Sequence, residues 1–297
     1  MATIQSVLTN TSRQDLRTDP FPYLVVENCL PPALYAELAA AYPSDDSILD
    51  LNAARRGGRV RQNQRNNVSA HQAIGRGTVA DVWEEFVRFH TSPAFYADVM
   101  RVFGDSIRQS YPALEKRLGG PLEGLATGVR FDAASDTGAI SLDCQIAINT
   151  SVQRFSSVRG VHADAPQELF AMLLYFRRPE DDSTGGDLEI WRWKPGRWPR
   201  FIGNEADESA AEFVATIAYQ PNTLVAFVNS EYALHAISNR SVTPHSRRLV
   251  NLIGEVYRPM PEGLFVKRQK PMARLLRFQR SMRHKLGLVN DLGHHQR

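Results

Sequence analysis

The sequence predicts an α+β, mainly β protein: a sandwich or barrel of short strands, preceded by helices and followed by a basic tail. Three observations carry this. From about residue 125 the chain breaks into short β-type segments separated by glycine- and asparagine-bearing turns, a spacing that suits a sandwich or barrel rather than a parallel α/β sheet. Between residues 33 and 111, apolar residues recur at helical intervals. From Lys267 onward, nine Lys/Arg stand against one acid, Asp291.

In chain order, FPYLVVE (21–27) reads as a strand, and Pro31-Pro32 opens a helix over ALYAELAAAY, since proline is favoured in a first helical turn. Residues 44–78 are polar and rich in Arg and Asn, and predict a long surface loop of the kind that serves as a lid. Val82, Trp83, Phe86 and Phe89, then Phe95, Val99, Phe103 and Ile107, predict two core-facing helices broken near Ser92-Pro93. Strands are predicted at 126–132, 144–150, 158–164, 170–177, 186–193, 223–229, 233–237 and 247–257, with a Trp/Pro/Arg-rich turn and an acidic loop at 194–222. The organisation expected is a helical support region over 1–124, a β core over 125–258 and a basic helical tail over 259–297, in one structural domain.

Composition sets the class. The 297 residues are 43% hydrophobic and 23% charged, as in an ordinary globular protein. The first twenty residues lack the apolar run of a signal peptide, and no window nears the roughly 20 apolar residues of a membrane span. Cys29 and Cys144 sit in apolar contexts, far apart, and read as two buried thiols in a reducing cytoplasm. The net charge of +3 divides into 26 basic and 31 acidic residues before Lys267 and a tail of +8. Such a tail suits an acidic carrier, a membrane surface or an acidic glycolipid. Phe278 is its one interleaved aromatic, so specific nucleic-acid binding is not expected. No phosphate loop, nucleophile elbow or Cys-x-x-Cys pair is present.

The chemistry concentrates in GVHADAPQELFAMLLYFRRPEDDSTGGDLE (160–189). In a strand, residues two apart face the same side, so His162 and Asp164 offer two ligands to one metal ion. His235, in a short strand late in the β body, is the best third ligand. Two imidazoles and one carboxylate with open positions make the facial triad of non-haem Fe(II) oxygenases, whereas a closed zinc site needs a fourth Cys or His. Arg247 opens the last long strand, and a guanidinium there would hold a dicarboxylate's far end by two parallel charge-assisted hydrogen bonds. Arg248 is its rival, and strand alternation alone does not choose between them. Tyr175 has a phenolic hydroxyl for the same carboxylate. Asn149 and Gln145 share one strand face and would touch cosubstrate or substrate.

These residues resemble the 2-oxoglutarate/Fe(II)-dependent dioxygenases of the prolyl 4-hydroxylase-like branch over roughly 125–258. The shared order is His162-Ala163-Asp164, Leu174-Tyr175-Phe176, the turn Asp181–Leu188 with Gly185-Gly186, His235 and then Arg247. The family's basic residue is followed by one residue and a small or apolar pair, which favours Arg247. The resemblance implies a double-stranded β-helix (jelly-roll, cupin-like) core, iron on His162, Asp164 and His235, and 2-oxoglutarate anchored by Arg247 with Tyr175 assisting. It implies conversion of O2 and 2-oxoglutarate to succinate and CO2 with hydroxylation of a substrate, with ascorbate as a candidate reductant. Halogenating relatives have Gly or Ala where this chain has Asp164, which argues for hydroxylation. The front segment's looser likeness to bacterial small-molecule and glycan-pathway oxygenases points to a small-molecule or glycan/lipid-linked substrate.

Other candidates rank lower. His245 follows Pro244 in a polar turn, His71 lies in the loop, His90 reads as a packing residue and His294-His295 as a disordered end. Arg130 and Arg159 read as surface charges before anion ligands, and Trp191, Trp193 and Trp198 as packing. Two alternatives stay open: a non-catalytic jelly-roll module that docks an acidic ligand or carrier, and a cupin-like metal enzyme that does not use O2.

Overall fold

Seven strands form the larger sheet of the computed structural model, which describes residues 3–56, 60–133 and 138–270. The strands are β1 (Tyr23–Val26), β2 (Arg65–Val68), β3 (Thr127–Val129), β4 (Ile140–Asn149), β5 (Glu168–Tyr175), β6 (Leu188–Trp193), β7 (Phe201–Ile202), β8 (Glu205–Ala206), β9 (Ala211–Ile217), β10 (Leu224–Val228), β11 (Leu234–Ile237) and β12 (Arg247–Glu255). The larger sheet runs β1-β10-β5-β12-β4-β2, with β3 parallel to β4, and the smaller runs β11-β6-β9. The helices are α1 (Pro32–Ala40), α2 (Asp45–Leu51), α3 (Ala53–Arg56), α4 (Ala70–Ala73), α5 (Asp81–Phe89), α6 (Pro93–Ser110) and α7 (Leu114–Leu118).

Both faces of the larger sheet are covered, so its strands are apolar almost throughout; all ten residues of β4 are buried. One face sends Ile146, Met172, Leu174, Val250 and Leu252 into a core shared with Leu38, Trp83, Phe86 and Phe103 of the helices. The Trp83 indole N–H donates to the Leu38 carbonyl at 3.0 Å, which ties α5 to α1. The other face sends Ala147, Leu173, Tyr175, Phe227 and Leu249 against Leu188, Ile190 and Ile217 of the smaller sheet. The candidate site lies on this inner face. The period-2 alternation of each strand therefore decides which side chains reach it.

The helix expected over ALYAELAAAY forms as α1, and the two expected between Thr78 and Tyr111 form as α5 and α6, where Ser92 caps α6 by accepting from the Phe95 N–H at 3.3 Å. Four expectations need correction. The 44–78 loop instead holds α2, α3, β2 and α4. Its polar residues supply structure: the Asn52 amide donates to the Ile48 and Asn67 carbonyls at 2.8 and 2.9 Å, and Val68 packs inward. The 158–164 strand is no regular strand; His162 makes only isolated bridges to His235 and Glu205. The 194–222 interruption contains β7, β8 and the seven-residue β9, whose AEFVATI packs one side only. Residues 259–270 are not helical, and the rest of the expected tail helix, with His294 and His295, lies outside the described residues.

Candidate metal centre and anion pocket

His162 and His235 are set side by side by their backbones. Each donates its N–H to the other's carbonyl at 2.9 Å, the doubly bonded pair of an antiparallel ladder. Their rings stand 4.2 Å apart between centroids. The His162 Nδ1 lies 2.8 Å from the Gly160 carbonyl, and the His235 Nδ1 3.1 Å from that of Ala233. Nδ1 therefore carries the hydrogen, and each Nε2 presents its lone pair to the site. Asp164 completes the set: its Oδ1 is 3.4 Å from His162 Nε2 and its Oδ2 3.6 Å from His235 Nε2. All three ligand atoms lie within 4.8 Å of one another, the one such grouping of metal-ligating residues among the described residues. The Phe227 ring backs His235 at 4.8 Å.

Electrostatics favour the ligating forms. Burial, then repulsion from His235, pushes the His162 pKa down to about 3, and burial lowers that of His235. Both imidazoles are neutral at pH 7, the form a metal requires. Burial would raise Asp164, but His235, His162 and Arg159 overturn that and hold its carboxyl well below the usual range.

A pocket of donors lies across from β11, on the inner face of the larger sheet. Arg65, Asn149 and Arg247 stand opposite one another across β2, β4 and β12, and Tyr175 lies on β5 beside Leu249. Arg247 is 1% exposed, and its Nε donates to the Gly186 carbonyl at 2.8 Å. Its two terminal nitrogens, the Tyr175 hydroxyl beside them and the Asn149 amide nitrogen are all buried with no well-formed hydrogen bond among the described residues. Buried donors left unmade in this way are costly, so their convergence is an observation about a ligand. They fit a carboxylate, which accepts a bidentate guanidinium.

Two features hold Arg247. Its guanidinium carbon lies against the paired rings of Tyr175 (4.8 Å) and Tyr219 (4.7 Å). Gly185 and Gly186 both take positive φ, and a Cβ on Gly185 would fall 1.8 Å from the Asn239 carbonyl oxygen. The acidic turn is fastened below them, where buried Asp181 accepts from Arg240 at 2.6 Å. Arg248 faces the helices instead, over the Tyr42 ring at 4.7 Å and 3.7 Å from Asp45.

The structure thus brings His162, Asp164 and His235 into one cluster, and Arg247, Tyr175 and Asn149 into the adjoining pocket. Gln145 shares the face but donates to Asp143 at 2.7 Å. His245 is outside the metal grouping, and buried His90 accepts from the Val7 N–H at 3.1 Å, a packing role. Arg130 is paired with Glu255 at 2.8 Å. Trp191 and Trp193 pack on Phe213 and Phe201, while Trp198 is exposed. Sequence reasoning missed Tyr219, Arg65 and Lys267. Tyr219 lies in the stretch read as an acidic loop and Arg65 in the presumed lid, while Lys267 opens the presumed tail helix. Lys267 in fact donates to the Ala163 carbonyl at 2.7 Å, and burial followed by Arg159 pushes its pKa down to about 8.

No protein-family model matches the sequence, and no curated protein matches it. Solved structures similar to it include prolyl 4-hydroxylases and an epimerase. A prolyl 4-hydroxylase from Pseudomonas putida is 13% identical, over 78% of this chain and 91% of its own, with a TM-score of 0.38. One from Phytophthora capsici is 13% identical over 89% and 68%, with a TM-score of 0.41. The epimerase SnoN, solved with Fe3+, alpha ketoglutarate and nogalamycin RO, is 13% identical over 78% of each chain at 0.39. At these values residue roles rest on the geometry of the site alone.

Proposed function

We propose that this chain is an Fe(II)- and 2-oxoglutarate-dependent dioxygenase with a double-stranded β-helix core, which hydroxylates a small-molecule or glycan/lipid-linked substrate. The observation that carries the reading is one juxtaposition. A neutral His-neutral His-carboxylate set at β11 of the smaller sheet stands with a buried guanidinium, phenol and amide on the facing side of the larger sheet.

His162, Asp164 and His235 would hold the metal through both Nε2 atoms and the Asp164 carboxylate, leaving positions for cosubstrate and O2. Bound iron supplies the activation of O2 coupled to loss of CO2 from 2-oxoglutarate. Arg247 would donate from its two terminal nitrogens to the cosubstrate's far carboxylate, with Tyr175 and Asn149 donating to the same group. The Gly186 carbonyl fixes the third guanidinium nitrogen, so the fork arrives already aimed. The Tyr175 hydroxyl is suited to donate, since burial raises its pKa against the opposing charge of Arg247. Halogenating members of the family this chain resembles have Gly or Ala where it has Asp164, which supports hydroxylation. The division into a 1–124 support region, a 125–258 core and a 259–297 tail belongs to this reading. So does a cytoplasmic setting, which the two buried free thiols suit. Among the described residues, no helix is long and apolar enough to cross a membrane.

The test is anaerobic addition of Fe(II) and 2-oxoglutarate, which should give a weak visible charge-transfer band and, on admission of air, succinate. His162→Ala should abolish both. A band that survives the substitution refutes the ligand assignment. Metal uptake without O2 consumption would favour a cupin-like enzyme of another type, and no metal at all a binding module.

A further inference from the structure

We propose that Arg65, Arg159 and Lys267 form an anion-recognising rim beside the metal centre, and that the substrate is an organic acid whose carboxylate or phosphoryl group docks there. This rests on the oxygenase reading above and goes beyond it to the class of substrate.

The three cations come from separate parts of the chain and meet around Asp164. Arg159 places a terminal nitrogen 3.5 Å from Asp164 Oδ1, and its side chain is 43% exposed. Lys267 is fixed to the Ala163 carbonyl, within the His162-Ala163-Asp164 turn itself. Arg65 reaches in from the sheet edge, with its Nε 3.5 Å from Asn149 Oδ1. It stands opposite Asn149, which in turn faces Arg247, and the charges of Arg247, Asp164 and Arg159 all act on it.

Charge arithmetic then asks for a further anion. A divalent metal, the Asp164 carboxylate, a doubly charged 2-oxoglutarate and Arg247 sum to zero. The rim cations are left over. Glu168, the nearest acid along β5, does not offset them, because burial and the negative charges of Asp164 and Glu255 push its pKa well up. Glu205 and Glu208 approach the chain at Gly160 and Asp187 lies near Tyr175, and these acids offset part of the charge. Like charges gathered in a groove cost free energy until an anion enters, and they concentrate anions from solution. A neutral substrate would leave that cost standing. Arginine and lysine together suit both carboxylate and phosphoryl oxygens.

The experiment is a calorimetric titration of methylphosphonate and of acetate, at constant ionic strength, into the anaerobic Fe(II)- and 2-oxoglutarate-loaded protein. At least one should bind the unaltered chain, and the stronger of the two identifies phosphoryl or carboxylate as the docking group. In the Arg159→Gln/Lys267→Gln double variant its affinity should fall at least tenfold, while the 2-oxoglutarate affinity, read from the visible band, stays within twofold. Arg65→Gln, on a sheet edge, gives an independent loss of anion binding should the double variant fold poorly. Binding of neither anion, or equal binding by the variants, overturns the proposal. A parallel loss of 2-oxoglutarate affinity in the double variant also overturns it, since the cations would then serve the cosubstrate. Absence of the visible band in the unaltered protein would instead refute the oxygenase reading.

Discussion

Replacing Arg247 by Gln isolates the anion pocket. Its two terminal nitrogens have no hydrogen-bond partner among the described residues, so they are open to a ligand carboxylate. Two charge-assisted hydrogen bonds of about 1.5–3 kcal/mol each, partly offset by the weaker bonds Gln can make, amount to about 3–4 kcal/mol. That converts to a 2-oxoglutarate affinity lower by about 10² to 10³-fold. Stability should hardly move, because the one internal bond lost is Nε to the Gly186 carbonyl, and removal of an unpaired buried charge offsets it. The assay is anaerobic titration of the Fe(II) protein with 2-oxoglutarate, followed in the visible band, beside a thermal melt. Arg248→Ala is the control: it faces Tyr42 and Asp45, and should leave the titration within about twofold, a few tenths of a kcal/mol. A less than tenfold loss in Arg247→Gln, or an equal loss in Arg248→Ala, would sink the assignment of Arg247 as the anchor.

Other expectations follow from the same contacts. Arg240→Gln strands the buried Asp181 carboxylate, and should cost about 3–5 kcal/mol, lowering the melting temperature on the order of 10 °C; an unchanged melt would show that the pair does not fasten the turn. Gly185→Ala meets both a positive φ and the Asn239 carbonyl, so it should lose at least about 2 kcal/mol of stability and weaken 2-oxoglutarate through the displaced Gly186 carbonyl; a neutral outcome in both readouts refutes this support. His90, whose pKa burial pushes down to about 4, gives a pH signature. Its folded pKa lies below the unfolded value near 6.5, so the unfolded chain takes up the proton first, and stability present above pH 6.5 is lost as pH falls toward 4. Between pH 6.5 and 5 that is roughly 2 kcal/mol, and His90→Gln should flatten the melt-versus-pH curve by that much; an unaltered slope would refute it.

Much of the site was legible in the residues because its parts are local. His162 and Asp164 are two residues apart, and Gly185-Gly186 announces a turn that only glycine accommodates. The helices around Trp83 and Phe103 were legible from apolar spacing, since a helix that buries one face must repeat near 3.6 residues. The polar stretch at 44–78 misled, because an edge strand such as β2 need show only two inward residues, and Asn66 is one of them. The β9 strand was hidden for a similar reason: it buries so few of its side chains that AEFVATI has no strong pattern.

What the amino-acid order determined alone was the inventory: two imidazoles, a nearby carboxylate, adjacent arginines and a tyrosine, in an order that resembles one family. Tertiary structure decided which of them meet. Strand alternation leaves two faces, and only the packing of helices on one and the smaller sheet on the other turns Arg247 inward and Arg248 toward Tyr42. The same packing brings Tyr219, Arg65 and Lys267 to the site from segments that show no sign of it in sequence. Contacts between distant residues depend on which surfaces are buried together, and no local pattern records that.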